Sequence, residues 1–441
     1  MRAWGRGLAR NATLDFLALG TRAVAALPLA PRGRGGGVAR GDAESAGAAL
    51  RAACHVLVVR LDELGDVVLT TAFLRELRRF APSARITLAV NPATAALMRG
   101  CPYVDAVEVM AVSGPTVLRP VLLPWRAWRL ARRWRRAANG PPVDVALLPR
   151  WASDAVFATY LAYFSGAPMR VGFSERVDAR KRAFNRGYDR LLTHAMRGRG
   201  WQHEVEHTLD LLRFFGIEPR ETALELWEGP EAAVDARALL GPALTLAGGA
   251  PGGPARPVVA IAPSGGHSRL KQWAPARLGE LARRLQRELG AVVVLVGTRH
   301  DAAVAARVAA ECDEPPLSLV GATDLPQLAA VLRRCSLFVG NDAGPLHLAA
   351  AVGTPVVAVF GSSDATRFGP WSDAATVVWR PPPCAPIFRS DRPDRCAACV
   401  FTVPACLDAV TVDEVFEACR ARLAVEPGRA KVTALAPASP V

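Results

Sequence analysis

Lysine is scarce in this sequence. The 54 basic residues include only Lys181, Lys271 and Lys431, so a formal net charge of +14 comes almost entirely from arginine. Such a bias is typical of GC-rich codon usage, and it also suits an anionic partner such as a phosphorylated substrate, a membrane surface or a nucleic acid. Charge alone does not decide between these interpretations.

Long apolar runs are also missing. No stretch of about 18 uncharged apolar residues occurs, so the sequence predicts no helix that spans a bilayer. Residues 1–50 form a basic, partly apolar leader, in which Asp15 and Arg22 interrupt the apolar stretch and argue against a signal-peptide core. Two interpretations stay open for this leader: an amphipathic helix on an anionic membrane surface, or a segment without fixed structure.

The nine cysteines show no regular spacing in a chain of 441 residues, which indicates a reducing cytoplasm rather than a secreted disulfide scaffold. Four of them, Cys384, Cys396, Cys399 and Cys406, lie together in a loop rich in proline and arginine. Only one pair has the C-x-x-C spacing that zinc sites use. We therefore expect reduced or partly disulfide-linked thiols there, with a structural zinc as the alternative.

The chain contains two arrays in which apolar strands alternate with helices. This alternation is typical of parallel sheets that are covered by helices on both faces. The predicted strands are 55–60, 85–90, 104–110, 143–149 and 170–173 in the first array, and 258–263, 291–297, 317–321, 337–341 and 355–361 in the second.

The predicted fold class is therefore α/β, with two doubly wound parallel sheets in separate domains. We expect the leader at 1–50, a first domain at 51–240, a Gly/Pro/Ala-rich linker at 241–257, a second domain at 258–425 and a disordered tail at 426–441. Doubly wound sheets bind ligands at the carboxyl ends of their strands. Two such sheets facing each other would share one cleft.

The loop after the first strand of the second array reads PSGGHSRLKQWAP. Backbone N–H groups around Ser264, Gly265 and Gly266 can approach a phosphate because little side chain intervenes. Lys271 would add a point charge to a diphosphate. The alternative interpretation is an ordinary surface loop.

A second candidate loop, NDAGPLHLAAA, follows the strand at 337–341. Asn341 or Asp342 can cap the helix that starts near Pro345, and the N–H groups of that helix can bind an anion. His347 lies in the first turn, where it can reach the same ligand. Asp301, after another strand end, can contact a ribose or a base, or can serve only as an acidic residue at a helix N-terminus.

The first array differs from a nucleotide site at the corresponding turn. Its sequence is RLDELGD, with three carboxylates and a single glycine where a phosphate-binding turn would be rich in glycine. Such a turn is unsuited to phosphate.

Taken together, these segments resemble glycosyltransferase family 9, the ADP-heptose:lipopolysaccharide heptosyltransferases and their relatives. The resemblance runs from about residue 55 to 420. It rests on LGDVVLTTAFLRELR, PSGGHSRLKQWAP, LVGTRHD, LFVGNDAGPLHLAAAVGTPVVAVFG and the HEVEHTLDLLRFFGI helix. It implies a GT-B fold, in which two facing Rossmann-like domains bind the acceptor and the nucleotide sugar, respectively.

The resemblance also implies roles for single residues. Asp66 matches the proposed general base of an inverting transfer, with Asp62 and Glu63 as its solvated neighbours, and Lys271 matches the lysine that stabilises the leaving diphosphate. One departure is Ala343, which stands where many heptosyltransferases carry threonine or serine. The donor site implied by the family consists of Ser264, Gly265, Gly266, Asp301, Asp342, Ala343, Gly344 and His347.

The acceptor side is predicted from arginine. The stretch RPVLLPWRAWRLARRWRRAANG carries seven arginines and three tryptophans without an acidic residue, which on a helix suits an anionic glycolipid or the bilayer interface. A nucleic acid would use the same charges, but no recognition motif accompanies them. Arg60 and Arg150, each at a strand end, are the predicted acceptor contacts.

The sequence thus predicts an inverting glycosyltransferase that moves a sugar, heptose from an ADP-linked donor, onto a lipopolysaccharide core or another lipid-linked saccharide. No Asp-x-Asp motif of metal-dependent enzymes occurs, so we expect neither a metal nor a cofactor. We further expect a cytoplasmic monomer that contacts the inner membrane peripherally and binds no nucleic acid. The alternatives are a nucleotide-sugar epimerase and a membrane-associated saccharide-binding module without turnover.

Overall fold

The computed structural model describes residues 40–114, 118–136, 142–248, 255–266, 268–381, 399 and 404–424. The chain divides into two compact units, with the boundary between Thr222 and Ala223. Unit 1 contains the described residues before this boundary, and unit 2 contains those after it. Most of the predicted leader and all of the predicted tail lie outside the described residues.

Unit 1 is a six-stranded parallel sheet with helices in its connections. The strands are β1 (His55–Arg60), β2 (Arg85–Val90), β3 (Ala106–Val109), β4 (Val145–Leu148), β5 (Met169–Phe173) and β6 (His194–Met196), in the order β3-β2-β1-β4-β5-β6. The helices are α1 (Arg40–Ala52), α2 (Leu64–Val68), α3 (Thr71–Phe80), α4 (Ala95–Met98), α5 (Arg119–Arg136), α6 (Ala158–Phe164), α7 (Ala179–Phe184) and α8 (Glu204–Phe214).

Unit 2 repeats this plan. Its strands are β7 (Val258–Ala262), β8 (Val292–Leu295), β9 (Leu317–Ser318), β10 (Leu337–Asn341), β11 (Val356–Phe360) and β12 (Ala375–Trp379), again all parallel, in the order β12-β11-β10-β7-β8-β9. Its helices are α9 (Gly229–Ala247), α10 (Pro275–Leu289), α11 (Ala302–Ala309), α12 (Leu325–Leu332), α13 (Gly344–Ala351), α14 (Ala365–Phe368), α15 (Ala405–Asp408) and α16 (Val412–Leu423).

The central strands are buried on both faces, which is why they read as continuous apolar runs. Every residue of β1, β7, β10 and β11 is buried. In unit 1 the side chains of Leu57, Val59 and Ala146 join one core cluster with Leu161 of α6. Burial of side chains of this size contributes about 1.5–3 kcal/mol each, so the two central strands anchor the unit.

Both sheets have their topological switch point in the same place. In unit 1 it lies between β1 and β4, and in unit 2 between β7 and β10. The connections leave these two neighbouring strands toward opposite sides of the sheet, so a crevice opens at their carboxyl ends. The α/β class and the two parallel sheets are as predicted, and each switch point marks where the predicted site residues follow the strands.

The linker region differs from the prediction. Helix α9 runs through the first part of the expected linker at 241–257, and the boundary between units comes earlier, at Thr222. Along α9 the small apolar residues Ala232, Ala236, Leu240 and Ala243 recur at helical spacing and are buried. This apolar stripe packs the helix against the rest of unit 2 and outweighs the helix-breaking tendency of Gly241 and Pro242, which lie within the helix.

Two edge strands, β6 and β12, were not predicted from the sequence. Within the described part of the chain, no helix combines the length and the apolar character that crossing a membrane requires.

Candidate active site

Asp66 occupies the turn that follows β1. The chain leaves β1 at Arg60, and Asp66 lies in the first turn of the short helix α2. Its side chain is 27% exposed, and its carbonyl accepts a hydrogen bond of 2.8 Å from the Thr70 hydroxyl. The carboxylate is therefore fixed at the switch point of unit 1 and still reaches solvent.

Arg60 connects Asp66 to two buried carboxylates. The guanidinium is 1% exposed, and its Nη2 lies 3.2 Å from Asp66 Oδ1 and 3.0 Å from Glu204 Oε1. Its Nε lies 3.2 Å from Asp62 Oδ2. Arg150, at the end of β4, pairs with the other oxygen of Asp62. Two arginines and three carboxylates thus form one charged group, which we call the Arg60 cluster.

The expectation that Asp62 is solvated is wrong. The residue is 4% exposed, because the side chains of Arg60 and Arg150 pair with its two oxygens. A carboxylate is retained inside a protein when cations compensate the loss of hydration. Glu63, the next residue, is exposed as predicted.

The loop after β4 is anchored by a buried lysine. Lys181 Nζ donates hydrogen bonds to the carbonyl oxygens of Trp151, at 2.9 Å, and of Arg150, at 3.3 Å. Desolvation, reinforced by Arg150, lowers the pKa of Lys181 to about 8, although the nearby Asp154 and Asp178 favour its charged form. These contacts hold the backbone from which the Arg150 side chain extends. No local sequence pattern marks Lys181 as a residue of the site.

The loop after β7 packs directly on the 3-10 turn Arg269–Lys271, which we call the Lys271 turn. A side-chain carbon on Gly265 would come within 2.7 Å of the Lys271 carbonyl carbon and the Gln272 nitrogen, so only glycine fits. Gly266 has φ +67°, which glycine adopts without strain. Its N–H donates to Ser264 Oγ at 3.1 Å. The small residues therefore let the backbone of this loop pack closely against the Lys271 turn.

Lys271 is paired with Asp342. The distance between Lys271 Nζ and Asp342 Oδ2 is 2.7 Å, with the lysine side chain 27% exposed and that of Asp342 6% exposed. The turn is tied to two further strand ends: the Trp273 N–H donates to Asn341 Oδ1, and Ser362 Oγ donates to the Leu270 carbonyl. The lysine thus lies at the switch point of unit 2, held from β10 and β11.

Helix α13 begins without a side-chain cap. Its N-cap is Ala343, in extended backbone conformation, while Asn341 and Asp342 bind elsewhere, so the prediction that either caps this helix is wrong. The helix start has no capping side chain, but Pro345 has no N–H and the Leu346 N–H donates to the Ala343 carbonyl oxygen at 3.0 Å, so fewer N–H groups are left for an anion than at most helix starts. His347 is in the first turn and is 4% exposed.

Asp301 forms a capping box with Thr298. The Thr298 N–H and hydroxyl donate to Asp301 Oδ2 at 2.7 and 2.8 Å. These local bonds match the simpler of the two interpretations, that of an acidic residue at a helix N-terminus. Both bonds end on the same oxygen, so the cap by itself does not use Oδ1.

Sequence reasoning missed two contributors to these turns. Glu204, the first residue of α8, carries one carboxylate of the Arg60 cluster, and Ser362 holds the Lys271 turn. Ser362 belongs to the segment GSSD directly after β11. Ligands bind at the carboxyl ends of the strands in such sheets, so the argument that singled out the other loops also applies to Ser362. Glu204 lies far from Arg60 in the sequence, and no local pattern indicates the pairing.

The cysteine prediction is only partly covered. Cys406 is buried in α15 and Cys399 is half-buried, whereas Cys384 and Cys396 lie outside the described residues. Among the residues that are described, no group of three or more histidine, cysteine, aspartate or glutamate side chains is arranged to hold a metal ion.

The two units each contain a parallel sheet of Rossmann order, with charged turns at both switch points, and this architecture is that of the GT-B fold. The family model for glycosyltransferase family 9 (heptosyltransferase) matches residues 151–397, more than half of the chain. The chain belongs to this family, which confirms the resemblance seen in the sequence motifs and establishes it as a glycosyltransferase.

Known relatives cover most of the chain. Lipopolysaccharide heptosyltransferase 3 of Escherichia coli K12 is 25% identical over 323 residues, which is 71% of this chain and 85% of the relative. The glycosyl transferase family 9 structure from Veillonella parvula aligns with a TM-score of 0.65 at 23% identity, over 84% of this chain and 97% of that one. The E. coli heptosyltransferase WaaC with ADP aligns with a TM-score of 0.59 at 18% identity, over 83% and 99%, respectively.

Proposed function

We propose that this glycosyltransferase transfers heptose from an ADP-linked donor to a lipopolysaccharide core or another lipid-linked saccharide, with inversion at the anomeric carbon. The observation that carries the proposal is the placement of Asp66, a partly exposed carboxylate, at the switch point of unit 1. The names of the relatives, a lipopolysaccharide heptosyltransferase and a heptosyltransferase solved with ADP, support the choice of sugar and nucleotide.

In the proposed reaction the acceptor hydroxyl oxygen attacks the anomeric carbon of the donor. Asp66 takes the hydroxyl proton as the new carbon–oxygen bond forms. The bond between the anomeric carbon and the diphosphate oxygen breaks with its electron pair, and negative charge develops on the leaving diphosphate. Lys271 and the uncapped N-terminus of α13 stabilise that charge without a metal ion.

The donor site is proposed to form around the Lys271 turn. Asp342 keeps Lys271 oriented before the donor binds, and the diphosphate then competes with this carboxylate for the ammonium group. Ala343 contributes its backbone, since it has no hydroxyl. The remaining proposed contacts come from the neighbouring strand-end loops and from α13: Ser264, Gly265, Gly266, Asp301, Gly344 and His347.

On the acceptor side, the two predicted arginines differ in exposure. The Arg150 side chain is 22% exposed and extends from the loop after β4, so we propose it as a direct contact for an anionic acceptor. Arg60 is 1% exposed and faces three carboxylates, which makes direct contact with an acceptor unfavourable. Its burial supports an indirect role, through Asp66.

We also propose that α5 contacts the cytoplasmic face of the inner membrane, where a lipid-linked acceptor would be anchored. The helix has no acidic residue, and Leu118, Val121 and Trp125 are exposed at helical spacing at its beginning. Arg129 lies 4.7 Å from the centre of the Trp125 ring, on the same face. Apolar side chains beside arginines suit an anionic bilayer surface.

The proposed base is tested with Asp66→Asn, which keeps the shape of the side chain and removes its basicity. We expect the transfer rate to fall about 10²–10⁴-fold. Affinity for ADP, measured by calorimetry, should stay unchanged because the proposed donor residues lie in unit 2. Transfer at the wild-type rate with donor affinity intact would contradict the assignment.

The proposed donor is tested by titrating ADP, UDP and GDP in the absence of added metal, beside a Lys271→Ala variant. Selective binding of ADP that weakens in the variant is the expected result. A preference for UDP or GDP would refute the ADP-linked donor and leave the family unaffected. Equal affinity of the variant would remove Lys271 from the site.

The membrane proposal is tested with two matched substitutions of exposed valines. Val121→Glu places a carboxylate on the exposed face of α5, whereas Val234→Glu does so on α9, where the valine is similarly exposed. We expect only Val121→Glu to release the protein from vesicles that contain an anionic lipid, in a sedimentation assay. Equal release by both variants, or binding of the wild type to RNA in preference to vesicles, would overturn the proposal.

A further inference from the structure

Asp66 and Glu204 compete for one nitrogen atom. Arg60 Nη2 lies 3.2 Å from Asp66 Oδ1 and 3.0 Å from Glu204 Oε1, so the positive charge of this group is divided between two carboxylates. Asp62 takes a further share at Nε. A carboxylate that held a buried arginine alone would be a weak base, because the pair would oppose protonation.

In the Arg60 cluster, three carboxylates share the Arg60 guanidinium, and Arg150 pairs with one of them, Asp62. Asp62 and Glu204 are each 2% exposed, and Asp66 is 27% exposed. If Asp66 takes up a proton, Arg60 still faces the buried carboxylates of Asp62 and Glu204, so its charge stays compensated.

The position of Glu204 favours its remaining charged. It is the first residue of α8, where the N-terminal N–H groups of a helix stabilise negative charge, and the N-cap of this helix is His203. Among the charged groups that face Asp66 are Arg60 from β1 and, through Arg60, Asp62 from the following turn and Glu204 from α8. Arg150 from the loop after β4 acts on Asp62.

We propose that Glu204 is a positioning residue for the general base: it holds Arg60 and withdraws part of its charge, so that Asp66 is oriented by the arginine and still accepts a proton. This inference rests on the proposed role of Asp66. Glu204 does not touch the substrates in this scheme. Its effect reaches the reaction only through the Arg60 guanidinium.

The test is the pH dependence of transfer in Glu204→Gln. The substitution keeps the size of the side chain and removes its charge, which leaves Arg60 to Asp66 and Asp62. Activity requires deprotonated Asp66, so it rises with pH along the acidic limb of the profile. We expect that limb of kcat/KM to move to lower pH by about one unit, and the plateau rate to fall because the base is weaker. The KM for the donor should stay unchanged.

Glu206→Gln is the matched control. Glu206 lies in the same turn of α8, but it pairs with Arg213 at 2.8 Å, and its loss should leave the limb in place. Glu204→Asp keeps the negative charge but moves the carboxylate away from Arg60 Nη2, because the side chain is shorter. We therefore expect the acidic limb of kcat/KM to lie between those of the wild type and Glu204→Gln. This second variant also decides the question if Glu204→Gln does not fold, which circular dichroism would reveal.

The outcomes separate this inference from the proposed function. If Glu204→Gln lowers the rate by one factor at every pH, or if Glu204→Asp matches Glu206→Gln, Glu204 has a structural role only and the inference is overturned. If Asp66→Asn transfers sugar at the wild-type rate, the proposed base itself fails, whatever the Glu204 variants do.

Discussion

At the scale of single residues, Gly265 determines how closely the loop after β7 approaches the Lys271 turn. Its α-carbon faces the Lys271 and Gln272 backbone, and a methyl group there would stand 2.7 Å from two backbone atoms. Overpacking against backbone costs about 1–3 kcal/mol, which the loop can relieve only by displacing the turn.

We therefore predict that Gly265→Ala weakens ADP binding about tenfold, equivalent to about 1.4 kcal/mol, in a calorimetric titration. Gly241→Ala is the control, because Gly241 lies in α9 with nothing within 4 Å of the added methyl group. That substitution should leave the affinity as it is. Unchanged affinity in Gly265→Ala would show that the turn tolerates the displacement.

Lys181 gives a second prediction, on the pH dependence of stability. Burial lowers its pKa from 10.5 to about 8 in the folded protein. Between about pH 8 and pH 10 the unfolded chain binds a proton that the folded chain does not, so this residue makes the free energy of unfolding rise with pH. Below pH 8 both states are protonated, and the cost of burying the charge is present in full.

The measurement compares urea unfolding of the wild type and Lys181→Met at pH 7.5 and 9.5. We expect the difference between the two proteins to shift in favour of the wild type by about 2 kcal/mol over this interval. Other titrating groups cancel in the difference. A difference that does not change with pH would mean that the buried amine stays charged throughout.

Sequence reasoning found the residues at the strand ends but not their partners. Asp66 and Lys271 lie in loops that follow apolar strands, which singled out the loops, and the resemblance to the family then singled out Asp66 among the three carboxylates of its turn. The burial of Asp62 depends on Arg150, which follows a different strand, and the β1–β4 neighbourhood that joins them exists only in the folded sheet. Local sequence patterns therefore do not reveal side-chain pairings between neighbouring strands of a sheet.

At the scale of elements, the capping box of the 3-10 turn Arg299–Asp301, which precedes α11, separates two roles of Asp301. Thr298→Ala removes the hydroxyl bond of the cap but keeps the backbone N–H bond and the carboxylate, whereas Asp301→Ala removes both bonds and any contact to a ligand. We expect each variant to lose about 1 kcal/mol of stability, as for other helix caps.

We predict that Asp301→Ala weakens binding of the ADP-sugar more than Thr298→Ala does, because Asp301 also contacts the donor through Oδ1. Paired titrations of the two variants with the ADP-sugar test this prediction. Equal affinities in the two variants would restrict Asp301 to capping the helix.

Strands in the sheet interiors were predictable, whereas two of the four edge strands of the described sheets, β6 and β12, were not. β1 and β10 begin and end where the sequence predicts, because both faces of each are buried and every residue must be apolar or paired. β6 is three residues long with one buried side chain, and β12 also has only one buried residue. An edge strand that is covered so little needs no apolar run.

At the scale of the whole molecule, the same strand order is used twice for different chemistry. The turn after the first strand of unit 1 carries carboxylates and the corresponding region of unit 2 carries glycines and a lysine, although the sheets share one topology. The proposed proton acceptor and the proposed leaving-group site are therefore encoded in separate units. Variants of one can be made without touching the core of the other.

Because lysine is scarce in this chain, acylation of its amines can be followed for each lysine separately. Of its three lysines, Lys181 is 4% exposed, Lys271 has a 27% exposed side chain, and Lys431 lies outside the described residues. We expect an acylating reagent to modify Lys271 far faster than Lys181, and ADP to slow modification of Lys271 alone, as peptide mass spectrometry would show. Protection that failed to depend on ADP would separate Lys271 from the nucleotide. A single mass shift would then report occupancy of the donor site without any engineered probe.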